Sequence, residues 1–197
     1  METNDRLHAL DALRAFALFL GICLTMIPTE TAAPLIDDGV VVNERFETGA
    51  PGVYAAGDVA RFYDPLFERH RRIEHWSNAN YQGTKVGERI AGVEAHFDIV
   101  SAFFTEVFGI TLKVFGDVDH FDEIVFRGRV DDEKAIGFYL QGPRLVATLV
   151  VGQDEETENK LKELIAARAT APDLERVGNE DASLDEAFVT TKDVADA

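Results

Sequence analysis

An α+β fold is what this sequence predicts, and three observations predict it. Short β-prone runs at residues 110–115, 123–127, 134–140 and 145–151 follow one another, punctuated by Gly109, Gly116, Gly128 and the Gly142-Pro143 turn. An amphipathic run over residues 157–168 then places Leu161, Leu164 and Ile165 on one helical face. Ahead of both lies a stretch of mixed character, with strand signals and one helical run before Gly92. Strands followed by a helix on one side make an α+β unit.

The chain has 197 residues, 46% hydrophobic and 28% charged, the balance of an ordinary globular protein. Its net charge of −17 argues against nucleic acid, whose phosphates demand clustered Lys and Arg. The same charge disfavours docking on anionic membranes. A single cysteine, Cys23, excludes an intrachain disulfide and a Cys-x-x-Cys redox pair. Any redox chemistry therefore requires a bound cofactor, and a reducing, cytoplasmic compartment is expected.

Taken in order, residues 1–25 form a segment of unclear origin. Residues 12–27 are nearly all apolar, but the run is short for a membrane span and Arg14 sits within its start. A membrane-associated helix, a buried helix and an accidental N-terminus are all compatible with it. Membrane association follows only if this segment is exposed. Residues 6–22 also resemble the opening of a family of multi-pass bacterial membrane proteins with acyltransferase-like members, a likeness that carries no catalytic site. From Met26 the character changes. Asp37-Asp38-Gly39 signals a turn before a β run at Val40, Val41 and Val42, and Pro51-Gly52 signals another. Val53 to Ala56 then reads as a buried strand closed by Gly57-Asp58. Ser77 or Asn78 is a candidate cap for a helix running to Ala91, with Ala79, Val86, Ile90 and Ala91 inward. Beyond residue 171, eight carboxylates against Arg176 and Lys192 read as a solvated or loosely docked acidic tail.

The most informative string is Thr48-Gly49-Ala50-Pro51-Gly52-Val53-Tyr54-Ala55-Ala56-Gly57-Asp58. It reads as a tight turn, a small-residue strand and a Gly-Asp at the strand's carboxyl end, where open α/β sheets bind ligands. Gly57 permits close approach of a ligand, Asp58 accepts from ligand hydroxyls, and the amides that follow can face a pyrophosphate. By itself, the dipeptide reads first as an ordinary strand ending in a Gly-Asp turn.

The whole string resembles the second FAD-binding motif of the pyridine nucleotide-disulfide oxidoreductase superfamily. Met26-Ile27-Pro28-Thr29-Glu30-Thr31 and the hairpin from Asp38 to Arg45 are similar to flanking segments of those enzymes. So are Arg72-Ile73-Glu74-His75-Trp76-Ser77-Asn78-Ala79 and Gln82-Gly83. The combination looks like the ferredoxin-reductase and apoptosis-inducing-factor-like branch, which lacks a redox disulfide. The resemblance implies that Asp58 binds the ribityl chain of FAD, with Gly57 and the Val59 backbone beside it. It places Glu74, His75 and Trp76 near the flavin ring; a surface pair and a core tryptophan are the plain alternatives. It implies a partial FAD-binding α/β segment (residues 26–92), a reductase C-terminal α+β domain with an antiparallel sheet and helix (93–170), and the tail (171–197). The family's aromatic contact with flavin would fall on Phe104.

The resemblance implies that NAD(P)H reduces FAD, which passes electrons to small iron–sulfur proteins or other acceptors. Such an enzyme needs a Gly-x-Gly-x-x-Gly turn for each dinucleotide, and no two glycines here are separated by one residue. A truncated oxidoreductase, impaired by itself, is therefore expected; a fragment, a gene fusion or a mis-started frame would each produce it. The rival class is a non-catalytic module that forms a homodimer or pairs with another chain through its C-terminal sheet. No residue is assigned a catalytic role. No metal is expected: His70, His75 and His96 lack ligand spacing, and His120 among Asp117, Asp119, Asp122 and Glu123 reads as a solvated loop. Arg61, Arg69, Arg71 and Arg72 form a basic run suited to an acidic ferredoxin, to cofactor phosphates or to surface ion pairs.

Overall fold

A computed structural model describes residues 38–190. The apolar segment at 12–27, Cys23, the string from Met26 to Thr31 and the last part of the tail lie outside the described residues. The chain divides into two compact units, one ending at Asp98 and one beginning at Ile99.

In the first unit, β1 (Val40–Val42) pairs in parallel with β2 (Ala60–Asp64), and β2 pairs antiparallel with β3 (Arg69–Arg72). The β1–β2 crossover begins with a turn organised by Asn43, whose side-chain oxygen accepts from the Arg45 and Glu47 amides at 2.9 and 3.0 Å. That turn drives Phe46 inward, where it joins Val40, Val42, Phe62, Ile73, Val86 and Phe97 in the core. Helix α1 (Trp76–Ile90) covers this core with Val86.

Three expectations fail in this unit. The strand at Val53 to Ala56 shrinks to a single bridge between Glu47 and Tyr54. Gly57, at φ +76°, instead turns the chain into a 3-10 helix over Gly57–Val59, and the true strand starts at Ala60. Neither Ser77 nor Asn78 caps α1; His75 occupies that place without a side-chain capping bond, and Asn78 is drawn into the interior. The inner face of α1 carries Asn78, Gln82 and Val86, while Ile90 is exposed. β2 alternates inward with apolar side chains only at Ala60 and Phe62, and β3, with arginines along it, carries no apolar alternation to announce it.

The second unit is a five-stranded antiparallel sheet in the order β4-β5-β8-β7-β6. Its strands are β4 (Ala102–Val107), β5 (Ile110–Gly116), β6 (Glu123–Arg129), β7 (Lys134–Gln141) and β8 (Arg144–Val151). The four sequence-predicted strands are β5 to β8, and the α+β class holds. β4 is an extra edge strand. Central β7 and β8 are buried over most of their length, as expected of strands covered on both faces. Helix α2 (Glu155–Ala166) packs on β8 and β5 through Leu161, Leu164 and Ile165. Asp154 caps it by accepting from the Thr157 amide at 2.8 Å.

Of the two readings of the tail, solvated or loosely docked, its described part takes the docked one. Two short helices, α3 (Leu174–Gly178) and α4 (Leu184–Ala187), dock on the sheet, and α3 lies against β6. Val177, Ala187 and Phe188 are buried, with Phe188 packed on Phe138 at 5.3 Å between ring centroids. Arg127 fastens the segment by donating to the carbonyls of Val177, Ala182 and Arg176 at 2.9, 2.8 and 3.2 Å. Few apolar residues suffice here because Val177, Ala187 and Phe188 are each almost wholly buried.

Candidate functional site

The first unit brings the sequence-predicted site residues to one place. The Gly57–Val59 turn lies against the start of α1: a Cβ on Gly57 would come 3.2 Å from that of Ala79. The Gly57 amide donates to Gln82 Oε1 at 2.8 Å, so the turn is bonded as well as packed. Asp58 projects from it into solvent and lies near enough to His75 to act on its charge. Burial holds the His75 imidazole below its ordinary value, and the Asp58 carboxylate partly offsets this.

Around that pair, Arg72 forms a clamp. Its guanidinium donates to the Asp58 carbonyl at 3.4 Å, approaches Asp38 at 3.4 Å, and pairs with the Glu74 carboxylate. Glu74 is thus held by its neighbour on the same strand end. Trp76, at the first position of α1, is 75% exposed and presents its indole outward, so the core alternative does not apply to it. The Val59 carbonyl faces Gly39, where a Cβ would come within 2.9 Å of it.

The donor set suits a flavin nucleotide in kind. An exposed carboxylate accepts from hydroxyls, the start of a fifteen-residue helix without a side-chain cap attracts negative charge, and an exposed indole offers a flat apolar face. Gln82, Asn78 and Arg72 were not singled out for these roles. The first two stand in the segments that resemble the family, and their roles show otherwise only as a pair of amides one helical turn apart on the inner face of α1.

Within the rest of the basic run, Arg71 is a structural staple. Arg71 is buried in an ion pair with Asp64 at 2.8 Å. In the second unit, Asp117, Asp119 and His120 each bring one ligand atom within 4.8 Å of the others, more clustered than a loose loop. A cleft of about 480 Å³ there is lined by Arg127, Arg129, Lys134, Asp132 and Glu180 among others, a set of mixed sign.

The pyridine nucleotide-disulphide oxidoreductase family model matches residues 25–83, and the reductase C-terminal family model matches residues 102–188. The chain belongs to the ferredoxin-reductase-like branch of the pyridine nucleotide-disulphide oxidoreductases. The second match ends on Phe188, so this family's C-terminal domain takes in the docked helices α3 and α4. Among curated relatives, putidaredoxin reductase CamA of Pseudomonas putida is 33% identical over 158 residues, covering 80% of this chain and 37% of that protein. Apoptosis-inducing factor 3 of Homo sapiens is 31% identical over 133 residues, covering 66% of this chain and 22% of that protein. Among solved structures, the covalent putidaredoxin reductase–putidaredoxin complex matches with a TM-score of 0.68 and 31% identity, covering 77% of this chain and 36% of the other. The chain therefore spans well under half the length of these relatives. Among the described residues, no helix is long and apolar enough to cross a membrane.

Proposed function

We propose that this chain carries the flavin-facing part of an NAD(P)H-dependent, FAD-containing reductase that serves a small iron–sulfur electron carrier. The observation that carries this reading is the juxtaposition of the Gly57–Val59 turn with the uncapped start of α1. Asp58 would accept from the ribityl hydroxyls, Gly57 and the Val59 backbone would flank it, and Glu74, His75 and Trp76 would border the ring. When bound, FAD would take a hydride from NAD(P)H and release electrons to the carrier. The chain's own residues would orient it: Arg72 holds Glu74 and the turn carbonyl, and Trp76 would shield one edge from water. The iron–sulfur partner is supported by a relative seen in complex with putidaredoxin. The compartment is proposed to be cytoplasmic.

No Gly-x-Gly-x-x-Gly turn occurs in the sequence, so flavin retention is proposed to be weak and NAD(P)H turnover small for this chain alone. The test is the visible spectrum of the protein after incubation with FAD and desalting, compared with Asp58→Ala. A flavin band retained by the parent and lost in the variant supports the reading. Equal retention by both would count decisively against it.

A second reading is a non-catalytic pairing module, favoured by the exposed apolar side chains of Phe104, Val107 and Phe108 on β4 and its hairpin. A concentration-dependent mass in a preparation that never takes up FAD would select it.

A further inference from the structure

A buried polar relay inside the first unit ties together the two halves of the candidate site. Gln82 is fully buried, as is Asn78 nearly so. Gln82 Oε1 accepts from the Gly57 amide at 2.8 Å, and its Nε2 donates to Asn78 Oδ1 at 3.3 Å. Asn78 Nδ2 then donates to the Ile73 carbonyl at 3.1 Å, one residue before Glu74. The relay starts on the turn that bears Asp58 and ends on the strand end that leads into Glu74, His75 and Trp76.

Burying two amide side chains on the face of a helix is costly unless their groups are paired. An apolar pair would fill the same volume without that demand. Polar residues here do something packing does not: they define a direction and a distance for a backbone amide. Gly57 adds a steric constraint, since its φ of +76° disfavours a side chain and a Cβ there would press on that of Ala79 at 3.2 Å. Ala79 and Gln82 lie on neighbouring turns of α1, so the helix holds the turn at two points.

We infer that Gln82 and Asn78 are positioning residues, which set the Gly57–Val59 turn against the start of α1 so that Asp58 and Trp76 address one ligand. This rests on the flavin reading for the identity of that ligand. The geometric claim stands on the hydrogen bonds alone.

The test uses the full chain with Gln82→Met, Asn78→Ala and the double variant. Two readouts are taken: hydrogen exchange at the Gly57 amide, and quenching by FAD of the only tryptophan, Trp76. Gln82→Met is expected to speed Gly57 exchange about tenfold or more while the Phe62 amide in β2 stays protected. It is also expected to raise the FAD concentration for half-quenching about tenfold. Asn78→Ala should do the same to a lesser degree, and the double variant should lose no more than Gln82→Met, as members of one chain do. Unchanged Gly57 exchange, additive losses, or equal loss of protection at Phe62 would each overturn the inference. If FAD fails to quench Trp76 in the parent, the flavin reading falls, and Gly57 exchange then decides the relay.

Discussion

Asp64 and Arg71 face each other within the β2–β3 hairpin in an ion pair of 2.8 Å, both side chains almost wholly withdrawn from water. Asp64 also accepts from the Leu66 amide at 2.9 Å, and the Arg71 guanidinium lies 4.7 Å from the centroid of the Phe67 ring. One carboxylate thus holds the hairpin strand and its turn together. Asp64→Ala is expected to destabilise the chain by about 3–5 kcal/mol, because it strands a buried guanidinium. Asp64→Leu combined with Arg71→Met should recover most of that loss. Urea unfolding of the three proteins measures both.

A pH effect follows from His75. Its folded form binds a proton less readily than the ordinary histidine value of 6.5, because burial disfavours the charge. The unfolded chain therefore takes up that proton first. Stability from this group is complete above the ordinary value and declines as pH falls toward the lower folded value. His75→Asn is expected to flatten the dependence of stability on pH in that window. Asp58→Asn should lower the His75 titration midpoint further, since the carboxylate raises it. Titration of the histidine ring resonances by NMR checks the second point directly.

How much of this was legible beforehand varies by residue. Strands β5 to β8 could be read because their apolar runs are punctuated by glycines, Gly109 and Gly142 at turns and Gly116 and Gly128 within the ends of β5 and β6. Strands β2 and β3 could not, because Arg61, Arg69 and Arg71 mask them, and a buried ion pair looks like surface charge until both partners are located. Asp58 was legible through its motif, and the structure puts it beside His75. Gln82 was visible only as one letter of a matching segment, since its role depends on a bond to a residue far away in the chain. The docked helices were hidden because Val177, Ala187 and Phe188 are spaced too widely to form a pattern.

The docked segment yields its own prediction. Phe188 is buried against Phe138, so Phe188→Ala is expected to cost about 3–5 kcal/mol, a core penalty that a solvated tail would not incur. Thermal unfolding followed by near-ultraviolet circular dichroism reads it.

Two glycines separate backbone strain from collision. Gly116 has φ +89°, and a Cβ there would lie 2.2 Å from the Val146 carbonyl oxygen. Gly109 has φ +82° with open space around it. Gly109→Ala is expected to cost about 1–2 kcal/mol, the penalty of a left-handed backbone. Gly116→Ala should cost more than that, since β5 must also move away from β8. Denaturant midpoints of the two variants rank them.

At the tip of the β4–β5 hairpin, Phe108 has φ +52° and is 100% exposed, followed by Gly109. Asparagine suits that place in a two-residue turn far better. Phe108→Asn is therefore expected to stabilise the chain by about 1 kcal/mol, measured as a rise in Tm.

The strand order of the second unit also dictates how it can assemble. The pairs β4–β5, β6–β7 and β7–β8 join strands adjacent in the chain, so each can zip from its own turn. The β5–β8 seam cannot, because it must first gather a loop that contains the whole of β6 and β7. Its closure carries the chain-entropy cost of the sheet, which makes it the natural rate-limiting step. Residues such as Val114 and Leu149, paired across that seam, should therefore govern how fast the domain forms, while the hairpin tips govern little beyond how long it lasts.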